Sequence, residues 1–171
     1  MDYLHSELWH DYFLALATSA AALVGLLFVV NSLNVRELTR DVLFQRRARN
    51  ILLVMTLLFV EGLAGVVPQG PITLGAEISV FHLVMLYFPI SAIWHLYQQK
   101  VPIPIIPIGA GIVFMTAGAV GGGLLMARWP WSLHLIAAAN VGLIFVLIAN
   151  AWSLLLGFWR TDLQHSPNDH A

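Results

Sequence analysis

The chain has no cysteine in its 171 residues. That excludes disulfides, thiol redox pairs, Cys-ligated zinc or iron–sulfur centres and a palmitoyl anchor. Charge is scarce as well, at 10% of positions against 59% hydrophobic. Soluble domains carry about 25% charged residues, and a globule of this composition would have almost no polar coat, so a water-soluble class is excluded. The net charge of −1 says little, because the distribution of charges matters more than their sum. The opening stretch, MDYLHSELWHD, lacks a basic region and carries Asp2, Glu7 and Asp11. The first apolar run is therefore expected to stay as a membrane span and not to be cleaved as a signal peptide. GxSxG, HExxH and phosphate-loop patterns are absent too, so no enzyme is expected.

What the chain has in quantity is apolar length. Runs at residues 12–33, 51–67, 74–97, 103–127 and 131–159 are uncharged or nearly so. Each suits a hydrocarbon layer of about 30 Å, which takes about 20 helical residues to cross. None shows the alternation of barrel strands. The expected fold is all-α, an integral membrane bundle of five transmembrane helices. Residues 1–160 form one transmembrane domain, and residues 161–171 a polar tail expected to be disordered.

Orientation follows from the basic residues. Arg36, Arg40, Arg46, Arg47 and Arg49 crowd the link between spans one and two, Lys100 lies between three and four, and Arg160 follows span five. Arg128 alone falls on the opposite side. The positive-inside rule then puts the N-terminus outside and the C-terminus in the cytoplasm. The five link arginines read first as this topology signal and second as a site for anionic lipid headgroups, on a link able to form a short amphipathic helix. Nucleic acid is not an expected partner, since no folded cytoplasmic domain positions such contacts.

Small residues recur four apart at Ala17, Ala21 and Gly25 and again at Gly118 and Gly122, the spacing of close helix seams within a bundle or between copies. Pro89 is expected to kink span three. Trp9, Tyr12, Trp94, Tyr97, Trp129, Trp131 and Trp159 fall near the span ends as an aromatic belt would.

Polar residues inside the runs are the costly feature. Residues 51–94 read as a hairpin of two spans folded back at Pro68-Gln69-Gly70-Pro71, with Glu61 on one arm and His82 on the other. Glu61 lies seven residues before Pro68, about 10 Å deep. His82 lies eight after Leu74, Asn140 eight after Ser132 and Ser19 eight after Asp11, so four spans carry a polar group at similar depth. His10, Asp11, Glu77 and His134 lie above them as an outer vestibule. An unpaired carboxylate in hydrocarbon costs about 2.5–3.5 kcal/mol on insertion scales. Glu61 should therefore face the interior, protonated or partnered, with His82 as the expected partner and Asn140 next.

Three readings compete for this layer. It is a satisfied structural network, or an ion or proton conduit built on Glu61, His82, Asn140 and Ser19 in a homo-oligomer, or a metal or b-type haem site. The last is disfavoured because His82 and His95, thirteen apart, point about 220° from each other around the helix. Neither cofactor nor metal is expected. A non-catalytic subunit that joins or regulates a larger membrane complex is the alternative function.

One resemblance is carried by an ordered series of motifs: Trp9-His10-Asp11-Tyr12-Phe13, the run AAALVGLLFVVNSLN at 20–34, Arg47-Ala48-Arg49 and Val67-Pro68-Gln69. Over about residues 9–75 the chain resembles an uncharacterised family of small bacterial multi-pass membrane proteins with a WHDFF start, an AALxGLxFVxxSxN span, an RA-containing helix and a VPxQ turn. The resemblance implies the bacterial inner membrane and lends no activity. It marks His10-Asp11 and Pro68-Gln69 as family-typical.

Overall fold

A computed structural model describes residues 7–33, 35, 42–98, 100 and 105–164. They form five helices: α1 (Glu7–Leu33), α2 (Val42–Val66), α3 (Pro71–Gln98), α4 (Ile105–Met126) and α5 (Ser132–Gln164). No strand occurs among the described residues. Each helix contains a segment long and apolar enough to cross a membrane: Trp9–Leu33, Gln45–Val66, Pro71–Gln98, Ile108–Met126 and Ser132–Ser153. Only 17% to 39% of the apolar stretch of 18 residues in each segment is buried inside the protein, so many apolar side chains face outward. Phe28, Tyr87, Trp94, Phe145 and Trp152 are all exposed, which suits a lipid solvent and not water.

Three boundaries differ clearly from the sequence reading, the first being α1, which starts at Glu7 and not at residue 12. α2 begins at Val42, well before residue 51, so Arg46, Arg47 and Arg49 ride on the spanning helix itself. Nothing between Val42 and Asn50 breaks a helix, and arginine is a good helix former. α5 runs to Gln164, so the first residues of the expected tail are helical; residues 165–171 lie outside the described residues.

The turns have identifiable chemistry. Between α2 and α3, Pro71 opens α3, where its missing N–H costs nothing, and Leu74 N donates to the Gly70 carbonyl at 3.0 Å. Gln69 Nε2 donates to the Ala64 carbonyl at 2.9 Å and to Glu77 Oε2 at 2.8 Å, closing the end of α2 and clipping it to α3. α4 ends in a Schellman motif, with Trp129 N donating to the Leu124 carbonyl and Arg128 N to the Leu125 carbonyl, both at 2.9 Å. Arg128 holds the left-handed position there at φ 58°.

The bundle has a turn end, with the α2–α3 and α4–α5 turns and the start of α1, and an arginine end opposite. α1 packs along α2, α3 along α4 and α4 along α5, while α2 makes smaller contacts with α3 and α5. The hairpin arms α2 and α3 therefore meet less than α2 meets α1 or α3 meets α4. Glycines decide this. Gly75 and Gly122 bring α3 and α4 so close that a Cβ on either would run into the other's carbonyl. The Gly118–Gly122 seam thus lies within the bundle, and Ser79 Oγ donates across it to the Ala119 carbonyl at 3.1 Å. On α1 the seam is divided: Ala17 is buried, whereas Ala21 and Gly25 are exposed.

Two apolar clusters fill the interior. Phe13, Leu16, Leu74, Ile78, Leu133 and Ile136 belong to the one nearer the turn end. Ala48, Ile51, Met55, Leu58, Met85 and Leu143 belong to the one nearer the arginine end. The buried polar groups lie between them.

Candidate functional site

Glu61 from α2, His82 from α3 and Asn140 from α5 are each 0% exposed. Asn140 Nδ2 donates to Glu61 Oε1 at 2.8 Å and also lies 3.2 Å from the Tyr12 hydroxyl. His82 Nδ1 is 3.5 Å from Glu61 Oε2 and 3.1 Å from the carbonyl of Ile78, one turn back. A carbonyl accepts and cannot donate, so Nδ1 carries a proton and Nε2 is the free ring nitrogen. The order of partners is the reverse of the one expected: Asn140 holds Glu61 directly, and His82 stands at the limit of hydrogen-bonding range.

Apolar side chains close the cluster on both sides. Toward the turn end, Ile78 and Ile136 lie one turn from His82 and Asn140 on their own helices, and Phe13 packs its ring against Gly65, one turn from Glu61. Toward the arginine end, Leu58, Met85 and Leu143 occupy the equivalent positions and are fully buried. Inside this enclosure Glu61 Oε2, His82 Nε2 and Asn140 Oδ1 lack a hydrogen bond of good geometry, though Oε2 faces the imidazole at 3.5 Å and His82 lies within interaction range of the Asn140 amide.

Ser19 does not join it. The inward line of α1 is Phe13, Leu16, Ala17 and Ala20. Ser19, two residues and about 200° on from Ala17, is exposed. Equal depth did not mean equal facing. The four residues read as an outer vestibule also have separate settings. His10 and Asp11 are exposed, and Glu77 is tied to Gln69 in the turn. His134 lies edge-on to Trp9 at 5.0 Å and tilted against Trp131 at 5.4 Å.

Of the arginines, Arg46 and Arg49 are exposed. Arg47 Nη2 donates to Asn150 Oδ1 at 3.1 Å. Arg36 and Arg40 lie outside the described residues. Among the described residues no three His, Asp or Glu side chains gather as a metal-holding group.

Tyr12 is the participant the sequence reading passed over. Its ring sits among boundary aromatics, edge-on to Trp9 at 5.8 Å. A phenol reaches further from its backbone than serine does, which lets a residue one turn above the layer place its hydroxyl in it. The half-buried Tyr12 links the sealed cluster to the turn end.

No protein-family model matches the chain, and neither a curated protein nor a solved structure matches it.

Proposed function

We propose that this is a multi-pass protein of the bacterial inner membrane, N-terminus outside, that conducts protons through the Glu61–His82–Asn140 cluster. The observation carrying this reading is a fully buried carboxyl group with one oxygen unpaired, 3.5 Å from an imidazole. Buried polar networks that serve only to join helices normally satisfy their members; here Glu61 Oε2 has only the imidazole at 3.5 Å. A proton suits that oxygen better than a metal cation, because it occupies a lone pair and needs neither a cavity nor a hydration shell.

Tyr12 supports entry from the outer side. On the inner side, Leu58, Met85 and Leu143 must part for a proton to pass. Pro89 supplies a weak point there, since it has no N–H for the Met85 carbonyl and sits one turn from that residue in α3.

Reconstituted into proteoliposomes under a pH gradient, the wild type is expected to show proton flux that collapses in Glu61→Gln. Unchanged flux in folded Glu61→Gln, or no flux in the wild type, overturns the reading.

A second reading, assembly as a subunit of a larger membrane complex or as a homo-oligomer, is favoured by the free half of the α1 seam. Ala21 and Gly25 are exposed, and a Cβ at Gly25 would meet nothing within 4 Å. Extraction in a mild detergent as a lone monomer counts against it.

A further inference from the structure

At the arginine end, Arg47 is fixed across the α2–α5 seam. Its Nη2 donates to Asn150 Oδ1 at 3.1 Å, and Asn150 is itself oriented, with Nδ2 donating to the Val146 carbonyl at 2.9 Å. The pair sits at the rim of the interior, since Ala48 adjoins Arg47 in the chain and Leu147 lies within a turn of Asn150, both buried.

Three properties of Arg47 point to an anion. First, its partner is a neutral amide, so the bond positions the guanidinium without compensating its charge. The guanidinium carries five N–H donors in a planar fork, and this bond uses one. Second, Arg47 is exposed and lies at the start of the apolar segment Gln45–Val66, the level where a helix leaves hydrocarbon for headgroups. Third, Arg46 and Arg49 are exposed beside it. At about 100° per residue the three fan over about 160° of α2, with Ala48 facing inward.

We propose that Arg47, held by Asn150 at one edge of this arginine fan, with Arg46 next round the helix and Arg49 beyond it, binds the phosphate of an anionic phospholipid whose acyl chains lie along the apolar surface of the bundle. The fork geometry of arginine matches phosphate oxygens in pairs. A fixed fork also loses less side-chain freedom on binding than a free one. This site is independent of the proton reading.

Native mass spectrometry of the detergent-solubilised protein, titrated with phosphatidylglycerol, phosphatidylethanolamine and inorganic phosphate, tests the proposal. The wild type is expected to prefer phosphatidylglycerol. Arg47→Gln and Asn150→Ala are each expected to weaken that binding roughly tenfold, the scale of one hydrogen bond to a charged group. Asn150→Ala leaves the net charge unchanged, so it separates a positioned site from general attraction to a basic surface. Arg49→Gln, which removes the same charge from an untethered position, is expected to weaken binding less than Arg47→Gln. Asn150→Asp gives Arg47 an internal counter-ion and is expected to expel the lipid while keeping the seam closed, which covers failure of Asn150→Ala to fold. Wild-type binding in either Asn150 variant, or equal losses in Arg47→Gln and Arg49→Gln, overturns the proposal. Displacement of the lipid by millimolar inorganic phosphate makes the ligand a free anion and overturns the lipid assignment.

Discussion

Gly118 of α4 lies against the imidazole of His82 on α3, so closely that a Cβ at position 118 would overlap the ring at Nε2, Cδ2 and Cε1. The glycine therefore does more than let two helices approach. It makes the space in which the histidine of α3 fits, and it sets the lone pair of Nε2 where no protein donor hydrogen-bonds it.

Gly118→Ala is expected to destabilise the protein by about 1–3 kcal/mol, the usual range for overpacking a tight interior. Gly123, on the same helix, has nothing within 4 Å of its Cβ position. There alanine is expected to stabilise by roughly 0.5–1 kcal/mol, through helix propensity alone. Denaturant titration in detergent measures both. Equal stabilisation by the two substitutions would show that the imidazole does not occupy the space beside Gly118.

Asn140→Ala removes the donor to Glu61 Oε1 and the contact with the Tyr12 hydroxyl. The expected loss is about 1–3 kcal/mol, mostly from leaving a buried carboxyl oxygen without its donor. Tyr12→Phe keeps the ring and its packing and is expected to cost about 0.5–1.5 kcal/mol. In a double-mutant cycle the two losses should fall short of additive, because one hydrogen bond is counted in both. Strict additivity would show that Tyr12 and Asn140 are not coupled.

Ser19→Ala is the counter-case. Ser19 shares the depth of the cluster but is exposed on α1, and the substitution is expected to change stability by less than about 0.5 kcal/mol. Proton flux in liposomes should match the wild type. A flux as low as that of Glu61→Gln would return Ser19 to the path.

Arg128→Gly tests the end of α4. A left-handed residue costs an L side chain about 1–2 kcal/mol, and glycine gives back part of that gain through greater freedom in the unfolded chain. A net stabilisation of roughly 0.5–1 kcal/mol is expected, read as a shift in the denaturation midpoint. Destabilisation would show that the arginine side chain makes a contact that outweighs the backbone cost.

Composition and hydropathy alone determined that the chain is helical and has five segments fit to cross a membrane, because burying a backbone in hydrocarbon leaves few other solutions. They also determined that Glu61, His82 and Asn140 deserved notice, since polar groups inside apolar runs carry a cost that can be counted from the sequence. Depth is legible in this way, because it follows from a rise per residue. Facing is not, because it depends on which neighbour each helix chooses. The tertiary structure alone turned Ser19 outward, brought the Tyr12 hydroxyl to Asn140 and set Asn140 nearer to Glu61 than His82. It also paired Arg47 with Asn150, 103 residues away. The physical reason is the glycines: where Gly75, Gly118 and Gly122 allow backbones to close up, α3 commits to α4, and the hairpin partner α2 is left with the smaller contact.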